Sequence, residues 1–121
     1  MGLDMYAYIT DTDVPEVAFE QPDDAILLFC WRKHPNLHGW MERLYRKKGG
    51  DFEDFNLETV RLDAADIDAL ERDVVKHRLP GTVGFFFGRS RPEDQKHDME
   101  FIHRARDALA RGKRVFYIAW W

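Results

Sequence analysis

Two segments with strand character stand near the start of the chain with no helical pattern between them, and this limits the folds open to it. Leu3, Met5, Ala7 and Ile9 alternate with Asp4, Tyr6, Tyr8 and Thr10, the period of a half-exposed strand over Met5 to Thr10. Ala25 to Lys33 is a continuous apolar run that turns basic at its end and reads as a central strand buried on both faces. The stretch between them is rich in Asp and Pro, which marks a loop. A fully alternating parallel α/β fold would need a crossover helix there. A mixed or antiparallel sheet is therefore the expectation.

The rest of the chain supplies helices to cover such a sheet. Pro35 opens a helix that runs to about Lys48, with Leu37, Trp40, Met41 and Leu44 on one face. Its last turn carries Arg46, Lys47 and Lys48, as the helix dipole prefers, and Gly49-Gly50 ends it. Asn56 to Leu62 reads as a third strand, and Asp63 caps a helix that buries Ile67, Leu70, Val74 and Val75 before Pro80-Gly81. Thr82 to Phe87 reads as a fourth strand. Ser90 and Glu93 have the spacing of a capping box for a long helix to Arg111, ended by Gly112, and Arg114 to Trp121 reads as a last strand. The expected fold class is α+β, a single mixed or antiparallel sheet of about five strands packed by three helices. With 121 residues and 45% hydrophobic content, the chain can build one core and hence one domain over residues 1–121.

Composition narrows the functional classes. A third of the residues are charged and no apolar stretch reaches membrane-spanning length, so no membrane association is expected. The first residues lack a basic region followed by an apolar run, and the single cysteine, Cys30, has no partner for an internal disulfide. A cytoplasmic location is the expectation. The net charge of -4 conceals alternating blocks: residues 1–24 hold seven acids and no Lys or Arg, whereas residues 32–48 hold six bases against Glu42. Blocks of opposite sign neutralise one another across a folded surface, so charge gives only a minor argument for nucleic acid.

Chemistry concentrates at two places. In the last helix, a projection at 100° per residue puts Asp98 on the face of Phe101, Ile102, Ala105 and Ala108. A carboxylate buried there needs a partner, because burying it alone costs several kcal/mol. The natural partners lie in Trp31-Arg32-Lys33-His34-Pro35-Asn36-Leu37-His38-Gly39-Trp40, where a strand ends and a helix begins. Backbone amides and the helix dipole converge at such places. Arg32 is a candidate to hold Asp98 or an anionic ligand, and His34 with His38, four apart, can present two metal ligands. No Cys pair or HExxH motif accompanies them, and no metal or cofactor is expected. Ser90, the only serine, is taken up by its cap, and Cys30, among Leu28, Phe29 and Trp31, should be inert. No GxxxxGK[ST] or GxGxxG motif supports nucleotide chemistry. Gly84-Phe85-Phe86-Phe87-Gly88 alternates small and large side chains, more in keeping with close core packing than with a stacking platform for bases.

The opening Met1-Gly2-Leu3-Asp4-Met5-Tyr6, the segment from Trp31 to Met41, the Gly84 to Gly88 stretch and the Trp120-Trp121 ending resemble a family of small phage- and prophage-associated bacterial proteins. The resemblance spans the chain, implies a bacterial or phage cytoplasm, and carries over no catalytic residue. The leading expectation is a non-enzymatic accessory protein that binds a protein or an anionic ligand through Trp31, Arg32, His34, Asn36, His38, Trp40 and Asp98. A metal-binding protein or enzyme using His34, His38 and Asp98 is the first alternative. Binding of single-stranded nucleic acid through Trp40, Arg43, Tyr45, Arg46 and Lys47 is the second.

Overall fold

The computed structural model describes residues 2–84 and 87–121. Among them the elements run β1 (Asp4–Thr10), β2 (Ile26–Arg32), α1 (Pro35–Lys47), β3 (Val60–Leu62), α2 (Ala64–Val75), α3 (Asp94–Ala110) and β4 (Arg114–Trp120). The class is α+β: one four-stranded sheet in the order β2-β1-β4-β3, antiparallel at every pairing, with three helices. Among the described residues no helix is long and apolar enough to cross a membrane.

β1 lies inside the sheet, paired on both sides, and its alternation sorts its residues between the two faces. Met5 lies opposite Ala119, Ala7 opposite Tyr117 and Ile9 opposite Val115, and these pairs face the core. The sequence pattern misplaces β2, which is an edge strand. Ile26 is 65% exposed and Leu27 50%, and Cys30 is exposed rather than enclosed. The continuous apolar run has a different cause from burial on two faces. The pairing with β1 slips by one residue between Ala7–Phe29 and Tyr8–Leu27, so Leu28 is the extra residue of a bulge and strict alternation is lost. Phe29 and Trp31 then turn inward, their rings 6.1 and 4.9 Å from that of Phe101 in α3.

The Asp- and Pro-rich loop from 11 to 25 crosses the outer face of the sheet. Val17 bridges to Val60, the Ala18 amide donates to the Thr59 carbonyl at 3.1 Å, and the Arg61 amide donates to the Glu16 carbonyl at 2.8 Å, so the free edge of β3 is covered. Phe19 packs edge-on against Phe116 on the way. Asp24 closes the loop by accepting from Thr10, the Asp11 amide and Thr12, and those bonds hold its carboxyl below the usual range.

The helices begin and end where capping chemistry directs, with one exception. Pro35 stands at the first position of α1, and Gly49, with φ of 103°, follows its end. Asp63 and Asp66 form a reciprocal capping box for α2, in which the Asp63 amide donates to Asp66 Oδ2 at 2.8 Å. The exception is α3, which starts at Asp94 rather than behind a Ser90 cap. Asp94 itself takes the Arg91 amide at 2.7 Å, and the Ser90 hydroxyl is used elsewhere. The expected strand over Thr82 to Phe87 does not join the sheet: Thr82 to Gly84 and Phe87 are irregular, and Phe85 and Phe86 lie outside the described residues. The Phe87 amide donates to the Gly84 carbonyl at 3.2 Å.

This segment rests on α1 at Gly39, where a β-carbon would meet the Oγ1, Cβ and Cγ2 of Thr82. Thr82 cannot turn away without releasing the Pro80 carbonyl, to which its hydroxyl donates at 2.9 Å. Alanine is favoured over glycine within a helix by about 1 kcal/mol, but forcing a methyl into a packed contact costs roughly 1–3 kcal/mol. Gly39→Ala is therefore expected to lower stability in urea denaturation. A more stable variant would show that the Thr82 segment does not pack there.

Candidate functional site

The site forms where β2 ends, α1 begins and α3 completes its first turns. Trp31 is the last inward-facing residue of β2, and Lys33 follows in the left-handed region at φ 56° with its amide on the Leu3 carbonyl at 2.8 Å. That turn places His34 just before α1, so Trp31 and His34 reach the same acid. Asp98, 1% exposed, accepts from Trp31 Nε1 at 3.1 Å through Oδ1 and pairs with His34 Nε2 at 2.8 Å through Oδ2. The predicted burial of Asp98 and its pairing with His34 are both present in the geometry. Arg32 points away, bonding Asp4 through Nε at 3.1 Å on the exposed side of the sheet.

The other nitrogen of His34 is engaged as well. Nδ1 lies 2.6 Å from Ser90 Oγ and 3.5 Å from Asp94 Oδ2. An ionised Asp98 only accepts hydrogen bonds, so Nε2 carries the proton facing it, and in the neutral ring Nδ1 accepts the Ser90 hydroxyl proton. The same Ser90 oxygen accepts the Asn36 amide at 3.0 Å, one of the amides at the start of α1 that have no partner within the helix. Ser90 thus caps α1 from across the fold, a task His34 at the N-cap position does not perform. The Asn36 side chain accepts the Thr82 amide at 3.1 Å and ties in the segment that covers α1. A cavity of about 390 Å³ opens onto this group, lined among others by His34, Asn36, His77, Ser90, Arg91 and Asp98.

His38 and Trp40 do not belong to this constellation. His38, 1% exposed, turns inward to the ring of Phe55 and lies 2.7 Å from the Tyr117 hydroxyl through Nδ1. Burial pushes its imidazole down to about 4, against a smaller upward pull from a backbone hydrogen bond at Phe55, and burial likewise pushes the Tyr117 hydroxyl well up. Both groups are neutral near pH 7, with Tyr117 donating to Nδ1. The proposed pairing of His34 with His38 around a metal therefore has no geometric support, and among the described residues no group of three His, Cys, Asp or Glu side chains is placed to hold a metal ion.

Trp40 is buried and donates to Asp73 Oδ2 at 2.8 Å, and Tyr45 is fully buried with its hydroxyl on Glu58. Arg46 is occupied by Glu42 and by the carbonyls of Gly50, Phe52 and Glu53. This face of α1 offers no free ring on which a base could stack.

Of the residues singled out in the sequence, Trp31, His34, Asn36 and Asp98 converge, and Arg32, His38 and Trp40 do not. Ser90 is the member that sequence reasoning passed over, because its spacing to Glu93 matched a capping box. Comparison with models of known protein families, with curated proteins and with solved structures finds no match to the chain.

Two outcomes follow from the buried groups. Asp98→Ala leaves Trp31 Nε1 and His34 Nε2 without an acceptor, and stability in urea should fall by about 3 kcal/mol or more; a loss under 1 kcal/mol would show that the pair contributes little. Between pH 6.5 and about 4 the unfolded chain takes up a proton at His38 that the folded chain refuses. Stability is then lost as pH falls through that range, by about 3 kcal/mol in all. His38→Gln has nothing to titrate there, so its fall should be shallower by about that amount. Parallel curves for the two chains would contradict this assignment.

Proposed function

We propose that the chain is a small binding protein whose site is the cavity between the start of α1 and the first turn of α3, and that it takes a small anion or the anionic end of a larger molecule. The observation that carries this reading is the state of the two acids lining the cavity. Asp98 is bonded to Trp31 and His34, and Asp94 accepts the Arg91 amide. Their charge is already matched by donors of the protein. The remaining polar lining includes the Arg91 and His77 side chains, both on exposed residues, together with Gln95. A guanidinium and a histidine in the lining suit a carboxylate or phosphate group.

A cavity of this volume is of the size that holds a small molecule. A setting in a bacterial or phage cytoplasm, as the family resemblance implies, is part of the same proposal. Nucleic-acid binding through α1 is not favoured, because Trp40 and Tyr45 are buried in the core.

Titration of the protein with inorganic phosphate and with acetate tests the proposal. At about a hundred times Kd a ligand that binds only the folded state adds about 2.7 kcal/mol of stability, seen as a saturating rise in melting temperature. Arg91→Ala should abolish that rise without changing the melting temperature of the free protein. No saturable shift with either anion, or an equal shift in Arg91→Ala, would sink the reading.

A further inference from the structure

The geometry points to a catalytic role for the same cavity: we propose that Ser90 is a nucleophile activated by His34, and that the cavity takes a small carboxylic ester bearing an anionic group. This rests on the binding reading for the anionic group and goes beyond it in assigning a reaction. Two contacts converge on the Ser90 hydroxyl, and a third holds the base that makes one of them. A base lies 2.6 Å away in His34 Nδ1, the imidazole is held from behind by Asp98 at 2.8 Å, and the Asn36 amide at the start of α1 lies 3.0 Å from Oγ. A serine hydroxyl is a weak nucleophile until an adjacent base removes its proton, and that base works best when a third group fixes its tautomer and orientation. Here the acid faces Nε2 and the hydroxyl faces Nδ1. The chemistry requires only that the two nitrogens serve the two partners separately. The positive end of the α1 dipole further favours an oxyanion at Oγ.

Burial distinguishes this group from a surface network. His34 is 2% exposed and Asp98 1%, so the hydrogen bonds that orient the imidazole are shielded from water, while Ser90 is half-buried and lines the cavity. In the reaction, Oγ attacks the ester carbonyl carbon as its proton passes to Nδ1. The adduct collapses, the bond from carbon to the alcohol oxygen breaks, and the proton on Nδ1 goes to the departing alcohol. A water then attacks the acyl carbon and gives its proton to Nδ1, the bond to Ser90 breaks, and Oγ recovers the proton. Ester and water become acid and alcohol, and Nε2–H stays on Asp98 throughout. His34 is the catalytic base and Asp98 a positioning residue.

The test uses a fluorophosphonate, which forms an O–P bond with an activated serine hydroxyl and releases fluoride. Ser90 is the only serine in the chain, so an adduct on it is assigned by peptide mass without ambiguity. A single adduct on Ser90 is expected, absent in Ser90→Ala, and formed at least ~100-fold faster than on N-acetylserine amide, the scale of a positioned base. Asp98→Asn supplies the readout that a purely structural role would not move. Its amide can donate to Nε2, which shifts the ring proton to Nδ1 and removes the base from Ser90. Labelling should fall by ~100-fold or more at a temperature where circular dichroism shows the variant folded. A Ser90 that reacts no faster than the free amide, or an Asp98→Asn chain that labels at the wild-type rate, overturns the proposal. Protection by inorganic phosphate separates the two readings: labelling that phosphate does not slow supports the activated serine and fails the anion site, whereas phosphate binding without any adduct does the reverse.

Discussion

The burial of Asp98 is the constraint on which the arrangement of this end of the molecule depends. A carboxylate so far from water costs several kcal/mol unless donors replace the lost hydration. The two donors come from different elements, Trp31 at the end of β2 and His34 before α1, and the acid itself belongs to α3. One side chain therefore fixes the relative positions of a strand, a helix start and a second helix. The requirement reaches into the backbone. Lys33 adopts a left-handed conformation, which costs a non-glycine residue roughly 1–2 kcal/mol, and that turn lets Trp31 and His34 aim at one carboxylate.

Packing behind the acid follows from the same choice. Because Trp31 must present its indole nitrogen to Asp98, its ring lies against Phe101 one turn further along α3, and Phe29 fills the space beside both. These contacts secure β2 although it stands at the edge of the sheet and leaves Ile26 and Leu27 in solvent. On the opposite edge β3 has only three residues, and the loop from 11 to 25 covers it instead of a further strand. The two edges are thus held by different means, one by side chains inserted under a helix and the other by a strap of backbone hydrogen bonds.

Those differences mark where the sequence was legible. The helices could be read because their signals are local: Pro35 and Gly49 bracket α1, Asp63 opens α2, and Gly112, with φ of 82°, ends α3. Asp98 could be placed because helical periodicity fixes a face within a turn or two. The edge position of β2 could not be read, since an apolar run looks the same whether both faces are buried or a bulge shifts which residues turn inward. The stretch from Thr82 misled in a similar way, its alternation of glycine and phenylalanine suggesting a strand where Thr82 to Gly84 and Phe87 are irregular. Ser90 was hidden for a different reason. A serine three residues before a glutamate satisfies the local rule for a cap, while its true partners, His34 and Asn36, lie more than fifty residues earlier in the chain.

His34 and His38 show how far neighbours outweigh spacing. Four residues apart at the start of one helix, they carry the same ring. His38 meets Phe55, Phe87 and a tyrosine hydroxyl, and burial among these uncharged groups keeps it neutral. His34 meets a carboxylate on one nitrogen and a hydroxyl on the other, with a second carboxylate 3.5 Å from the hydroxyl side. Both of its nitrogens have a polar partner, and a hydroxyl such as that of Ser90 can donate or accept. His38 differs in its surroundings: it is buried among aromatic rings and a hydroxyl, and burial without a facing carboxylate disfavours its charged form. Of the two rings, His34 is the one that joins a carboxylate to the Ser90 hydroxyl at the cavity.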